Sequence, residues 1–303
     1  DQLEINGRRY DDREFAPGIT SYDSFLEYQT YDITDRLTVG ENIAGIRLGD
    51  GWWCGRVGGS GDSCQFGTTL GILFQAELTY EDGIKTIVDG TKGVSSTGPI
   101  IYSDIFVGER YDATKEIVGW SEARFDDISW KILQPRMYTK ENLIGQYGEP
   151  VRPIRVIKPL KIIQTPRGET VLDVGQVLAG QLEISLDTEA GHLIRMEHSE
   201  VLDKEGNYYN NILGTNKEQT DFYVTKDGEQ TYRPAFTYHG FRYVKLTGWP
   251  GKPRLENFRI FVLSSEMKDL SEFETSNEQI NQLHSNIWWS QVSNTLSIPT
   301  DCP

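Results

Sequence analysis

Over the first 130 or so residues, apolar and polar positions alternate in short stretches, among them "LEYQTYDI", "NIAGIRLGD", "LGILFQAELTY" and "IKTIVDG", each broken off by Gly, Asp or Asn. A strand with one face in a core and the other in water produces this period of two, and the breakers supply the turns between antiparallel neighbours. In "GILFQAELTY", Ile72, Phe74, Ala76 and Leu78 share the apolar face and Gln75, Glu77 and Thr79 the polar one, with Glu81-Asp82-Gly83 as the turn that follows. The reading is a half-buried sandwich strand. "FDDISWK" closes this first unit, with Trp130 as a core residue. From 132 to 153 the alternation fades into Pro, Gly and mixed charge, the composition of a linker or crossing loop.

A second β run opens at "IRVIKPLKII" and continues through "TVLDVGQ", "GQLEISLDT", "HLIRMEHSEVL", "QTDFYVT", "RYVKLTGW" and "NFRIFVLSS", with turns at "TPRGE", "EAGH", "DKEGN" and "KDGEQ". After Met267 the period lengthens: in "FETSNEQINQLHSNIWWSQVSNTL", Ile280, Leu283, Ile287 and Trp288 fall on one helical face, with Ser276 as the N-cap. One helix cannot bury that face alone, so it docks on the sandwich or opens a third, helical domain. The second option fits a chain that runs on irregularly after the helix. The predicted fold class is all-β. It consists of two jelly-roll or β-sandwich domains in series (1–135 and 154–267) around a linker at 136–153, with 268–303 as the start of a helical domain.

Composition narrows the partners. At 303 residues and 37% hydrophobic, the chain has enough apolar material for two cores. Its 30 basic and 45 acidic residues leave a net charge of -15, which repels phosphate backbones and anionic membrane surfaces and excludes nucleic acid as a partner. No apolar run reaches the roughly 18 residues of a membrane span, and Asp1-Gln-Leu-Glu has no secretory-signal character. The chain begins on an apparent strand without Met, an expectation of missing upstream residues that leaves the compartment open. Cys54, Cys64 and Cys302 are too few and too odd in number for a disulfide scaffold, although Cys54 and Cys64 flank a Gly-rich loop they could bridge. Sandwich edges and exposed aromatics are compatible with a homodimer.

Four places carry candidate chemistry. "GDGWWCGRVGGSGDSCQFG" has G-x-G elements, but no helical pattern follows them, so a phosphate cradle is disfavoured. Adjacent Trp52 and Trp53 suit a carbohydrate site, where an aromatic face covers a pyranose; the alternative is that they plug the end of a sandwich. Asp11 and Asp12, in "RRYDDREFAPG", offer paired hard oxygens of the kind Ca²⁺ takes, or else form a solvated Asx turn. His239 in "TYHGFRYV" and His198 in "RMEHSEVL" read as hydrogen-bonded core residues. No Ser or Cys nucleophile is placed with such a base, and no His-x-His or His-Glu-x-x-His spacing is present. Asp301, in the closing "LSIPTDCP", is a Pro-flanked carboxylate directly after the predicted helix.

Taken together, "APGITSYDSFLEYQTYDIT", "NIAGIRLGDGWWCGRVG", "GPIIYSDIFVGERYDA", "LDVGQVLAGQLEISL", "MEHSEVLDKEGNYY", "PAFTYHGFRYVKLTGWPG" and "NTLSIPTDCP" resemble bacterial α-L-rhamnosidases in the right order along nearly the whole chain. The resemblance implies a sugar-binding-like jelly roll, then a β-sandwich, then an (α/α)6 barrel that hydrolyses rhamnosides with inversion. In an inverting site one carboxylic acid protonates the leaving oxygen and a second carboxylate activates water from the opposite face, roughly 6.5–9.5 Å away. By the same resemblance Asp301 touches L-rhamnose, while the general acid, a Glu a few residues further on, and the base, a Glu far downstream, both lie beyond Pro303. No catalytic residue is then expected within the chain, and the chain alone is expected to be inactive. The first domain also resembles Ca²⁺-dependent rhamnose-binding modules, which implies a calcium held by Asp11, Asp12 and carbonyls between Gly59 and Phe66. In this sequence Tyr10 replaces the family's usual Val-Gly, and "SYDSFLEYQTYD" lacks the basic residue many relatives carry. Glu109 in "VGERYDA" is a further implied sugar contact, with a buried salt bridge as its alternative. Three functions remain open: the front part of a rhamnosidase, a stand-alone Ca-dependent rhamnose-binding module, and a scaffold alone.

Overall fold

The computed structural model describes residues 1–57, 62–212 and 218–300. Strands dominate, with two α-helices, α1 (Gly51–Cys54) and α2 (Glu278–Ser293), among the described residues. The all-β expectation holds. The largest sheet, of ten described strands, is organised around Thr170–Thr188, which pairs with four neighbours along its length. Its first half lies between Lys161–Gln164 and His239–Thr247, and its second half reaches Phe258–Ser265 and Gly228–Tyr232. Both faces are buried from Leu178 to Ile184, as expected of a central strand. The sequence divides this element into "TVLDVGQ" and "GQLEISLDT". The chain instead continues through one irregularity between Asp173 and Leu178, where the register to His239–Thr247 shifts.

The main core lies within this unit: Leu172, Leu178, Leu182, Ile184, Ile194, Met196, Phe241, Phe258 and Ile260 are almost wholly buried. Each sits on a strand, and together they explain why the second β run reads as dense apolar alternation. A second, smaller core collects Phe15, Tyr22, Trp52, Ile105, Val151, Ala179, Tyr238, Leu263 and Leu296 from both units and from the segment after α2.

The first unit begins with a hairpin. Gln2–Ile5 pairs with Arg8–Arg9 through Asn6 and Gly7, both at positive φ, the backbone a two-residue Asn-Gly turn requires. Its other strands form small sheets. The pair Gln75–Thr79 and Lys85–Asp89 stands as its own two-stranded sheet, turned at Gly83. Here the structure corrects the sandwich-strand reading. Ala76 and Leu78 are half-buried, but Leu70, Ile72 and Leu73 precede the strand and are exposed, as is all of Lys85–Asp89.

The expected boundary between the units is crossed by the sheet. Ile100–Asp104 and Gly108–Asp112 form a hairpin whose second strand pairs in parallel with Thr220–Val224, extending the large sheet with residues from the first unit. Gly108 makes this approach possible: at φ +131°, a Cβ there would stand 2.1 Å from the Thr220 carbonyl oxygen. The expected linker is also tied in. Leu143–Gly145 pairs in parallel with Leu26–Tyr28, and Val151–Ile157 already forms an edge of the large sheet against Phe258–Ser265.

The helix α2 appears where its periodicity places it. Its cap is Asn277, whose side chain accepts from the Gln279 N–H at 3.0 Å, one residue after the expected Ser276. Its C-terminal end docks on the sheet through Trp289 and the buried Val292 and Ser293, while Ile280, Leu283 and Ile287 remain exposed.

Candidate functional site

The Asx-type carboxylates sit where the two units meet. Beyond the Asn6-Gly7 turn, Asp11 is held by the Arg13 guanidinium at 2.7 Å and lies 3.8 Å from that of Arg152. Asp12 pairs with Arg152, which also reaches Glu266 at 2.9 Å. One residue of the expected linker thus gathers three carboxylates from distant parts of the chain. Next to them Glu14, nearly inaccessible, binds Arg9 at 3.1 Å and Arg233 at 3.0 Å. As donors to a cation, Asp11 and Asp12 fit in kind, since both offer hard oxygens and Asp11 Oδ2 is buried without a well-directed hydrogen bond. Their partners are arginines, so a cation binding here must displace Arg152 or share its place. Of the expected carbonyl donors, Gly59 lies outside the described residues, as do residues 58, 60 and 61.

Trp52 and Trp53 have different surroundings. The ring of Trp52 belongs to the second core, where it packs with Phe15, Ile105 and Leu296, as the plug reading expects. Trp53 is half-buried, stands 5.7 Å from Tyr22 and 6.3 Å from Phe66 by ring centroids, and donates its Nε1–H to the Thr69 carbonyl at 3.1 Å. It fastens the far side of the Gly-rich loop to the junction. Cys54 and Cys64 are both free thiols; the loop is closed instead by the Cys64 N–H donating to the Cys54 carbonyl at 3.0 Å. Burial pushes the Cys54 thiol above its ordinary value.

Glu109 is completely buried at the join of the two units. Its partners are neutral, so the salt-bridge alternative is not realised either. The carboxylate accepts from the Tyr232 hydroxyl at 3.1 Å and from the Ala235 and Phe236 N–H groups at 3.0 and 3.2 Å. Beside it, Asp221 accepts from the Glu109 N–H at 2.9 Å and faces His239 Nε2 at 3.1 Å. The rings of His239 and His198 are stacked 4.1 Å apart, and His198 Nδ1 lies 3.1 Å from the Gln219 carbonyl. Among the described residues, His198, Asp221 and His239 are the one group of three whose ligand atoms fall within 4.8 Å of each other. Stacked imidazoles, however, send their in-plane lone pairs side by side, and these do not converge on one ion. The arrangement is a hydrogen-bonded core, as the sequence suggests for both histidines.

Its electrostatics set a pH dependence. Desolvation, followed by the charge of Asp221, pushes the Glu109 carboxyl up to about 8, against three hydrogen bonds that oppose the shift. Desolvation, followed by His239, holds His198 down at about 3. A raised acid stabilises the fold fully below its unfolded value, near 4.5, and loses that contribution as pH rises through 8. A depressed histidine stabilises the fold above 6.5 and loses its contribution as pH falls toward 3. Between 4.5 and 6.5 the two slopes cancel, so these groups give a plateau with a falling flank on each side. Urea melts of Glu109→Gln should lose the wild-type decline between pH 6.5 and 8. An unchanged slope in the variant would assign that decline to other groups.

Asp301 lies outside the described residues. The residues leading to it are anchored: Thr295–Leu296 pairs with Ile298–Pro299, Leu296 is buried in the second core, and the Ser297 N–H donates to Ser265 Oγ at 2.9 Å. The structure therefore brings the approach to Asp301 against the same core as Trp52. Glu109 belongs to the Asp221–His239 cluster. Sequence reasoning missed Arg152, which the "EPVRP" context presents as linker, and Asp221, which looks outward-facing in "QTDFYVT". In both cases the signal lies in partners far away along the chain.

Comparison with known proteins places this geometry. Residues 2–155 match the α-L-rhamnosidase N-terminal domain family, residues 163–264 the bacterial α-L-rhamnosidase concanavalin-like domain, and residues 268–303 the bacterial α-L-rhamnosidase 6 hairpin glycosidase domain. An α-L-rhamnosidase of Streptomyces avermitilis is 38% identical over 100% of this chain and 29% of its own length. The native α-L-rhamnosidase of Aspergillus terreus superposes with a TM-score of 0.95 at 39% identity, over 100% of this chain and 35% of that one. The Streptomyces avermitilis α-L-rhamnosidase complexed with L-rhamnose superposes at 0.90 and 36% identity, over 98% of this chain and 29% of that one. The chain thus spans 29–35% of the length of these relatives.

Proposed function

Since this chain belongs to the bacterial α-L-rhamnosidase family, we propose that it is the N-terminal portion of an inverting glycoside hydrolase that removes terminal α-L-rhamnosyl residues from glycosides. The observation that carries this reading is the order of the three family domains, with the glycosidase domain represented only by residues 268–303. In such a hydrolase, Asp301 contacts the sugar while a general acid and a general base outside these residues move the protons. The 303 residues hold the sugar-facing edge and the scaffold behind it. The exposed Ile280, Leu283 and Ile287 stripe on α2 is then the surface on which further helices pack. An assay of this chain against an aryl α-L-rhamnoside, with a full-length relative as positive control, tests the assignment.

A second reading is supported by Asp11 and Asp12: a calcium-assisted L-rhamnose-binding module in the first unit. Calcium, held by these carboxylates and by loop carbonyls, would supply a hard cation for vicinal hydroxyls. On this chain's side, Arg152 keeps the carboxylates together and compensates their charge without the cation. Calorimetry with L-rhamnose should give heat in calcium buffer that is reduced in EDTA, and Asp12→Ala should give in either buffer only the heat that the unaltered chain gives in EDTA. Heat that persists undiminished in EDTA would remove calcium from the site, and absence of heat in both buffers would remove the module.

A further inference from the structure

We propose that a second saccharide subsite, independent of any metal and selective for a neutral pyranose, lies in the cleft between Tyr28-Gln29-Thr30 and Gly145-Gln146. The cleft is open to solvent, has a volume of about 320 Å³ and is also lined by Arg13, which places it at the small end of ligand pockets, roughly 300–1,000 Å³. One or two sugar rings fill such a space. This inference rests on the reading of the chain as part of a rhamnoside-processing protein; it does not rest on calcium.

The wall of the cleft is an aromatic platform made by strand register. Leu26–Tyr28 runs parallel to Leu143–Gly145, so Tyr28 stands opposite Gly145, where there is no side chain. A Cβ at Gly145 would come within 3.7 Å of Tyr28 Cζ and Oη, which shows that the phenol end of the ring rests close over bare backbone. Tyr28 nonetheless remains 47% exposed. A tyrosine ring backed by backbone and open in front presents a flat apolar surface to the C–H face of a pyranose, with its hydroxyl at the edge.

The rim carries hydrogen-bonding capacity that the protein leaves unused. Gln29 Nε2–H donates to Gln146 Oε1 at 3.3 Å, which orients both amides and leaves Gln29 Oε1 as an acceptor and Gln146 Nε2 as a donor. Among the described residues, neither the Tyr28 hydroxyl nor the Thr30 hydroxyl has a protein partner. An acceptor, a donor and two hydroxyls around an open ring match the alternating donor–acceptor character of sugar hydroxyls. Charge decides between neutral and acidic sugars. Arg13 is already paired with Asp11 at 2.7 Å and lies 4.9 Å over the Tyr31 ring, so the cleft offers no free cation to a uronate. An acidic sugar gains nothing there, and a neutral one loses nothing.

The test is saturation-transfer NMR and calorimetry on the 303-residue chain with L-rhamnose and with a neutral α-L-rhamnosyl disaccharide, each in calcium buffer and in EDTA. Binding should persist in EDTA and in Asp11→Ala. It should weaken at least tenfold in Tyr28→Ala and in Gln146→Ala, and survive largely in Tyr28→Phe, which keeps the platform. Circular dichroism establishes that the variants fold; Gln146→Ala removes a half-buried amide without touching a core and stands in if Tyr28→Ala does not. Binding abolished by EDTA would overturn the cleft and leave the calcium module. EDTA-resistant binding unchanged by both cleft variants would overturn the cleft and place the sugar elsewhere, and no binding by either sugar would also overturn it. None of these outcomes bears on the hydrolase reading, which is tested separately by the turnover assay on the aryl α-L-rhamnoside.

Discussion

Incubated with an aryl α-L-rhamnoside, the 303-residue chain is expected to release no aglycone above the buffer rate, while a full-length relative turns the substrate over. Inverting hydrolysis needs a proton delivered to the departing oxygen and another taken from water on the opposite side of the ring. Each of these transfers is worth about 10²–10⁴-fold when a positioned side chain performs it. Groups that act in one transition state are not additive, so losing both collapses the reaction well beyond the loss of either. On the proposed reading both groups lie outside these residues. Glu109 holds a proton up to about pH 8 and so resembles a general acid electrostatically, but it is enclosed and committed to Tyr232 and two backbone N–H groups. Turnover by the purified chain within about a hundredfold of the relative would show that acid and base lie inside these residues, and Glu109→Gln would then be the first variant to examine.

The second large effect concerns folding. Asp221→Ala should lower stability by about 3–5 kcal/mol, the range for removing one partner from a buried hydrogen-bonded pair. Asp221 is 1% exposed, and its two oxygens serve the Glu109 N–H and His239 Nε2. Alanine leaves both groups enclosed without partners where the hairpin of the first unit meets the large sheet. Glu77→Ala, which breaks the exposed ion pair with Lys85, should show no resolvable change and serves as the control. Equilibrium urea unfolding measures both. A loss below about 1 kcal/mol for Asp221→Ala would mean that the cluster rearranges and that the hydrogen bonds are replaceable.

The strands were legible in the sequence wherever one face is buried and the other wet. "HLIRMEHSEVL" and "NFRIFVLSS" fall on Leu193–Ser199 with Val201–Leu202, and on Phe258–Ser265. The helix was legible because its apolar spacing changes abruptly after Met267. What stayed hidden depends on pairing between distant segments. "TVLDVGQ" and "GQLEISLDT" look like two strands because Gly175 interrupts the pattern, yet the hydrogen-bonded ladder resumes on the far side. "GILFQAELTY" alternates well, but among the described residues its strand pairs only with the exposed Lys85–Asp89, and alternation alone does not say what lies opposite. At the candidate site, Asp11 and Asp12 were found because adjacent carboxylates in a turn are conspicuous, whereas Arg152 was not, because a basic residue between Val and Pro carries no local signature. Trp52 and Trp53 were found together, and their division into a core ring and a loop fastener depends on neighbours such as Leu296 and Phe66.

The hairpin of residues 100–112 lends its second strand to a sheet built from the following unit. The first unit is therefore not an interchangeable cassette. Recombination or engineering that swapped it at the apparent hinge would strand an open ladder edge on one side and the Asp221 carboxylate on the other, so descent should keep the two units together as one inherited block.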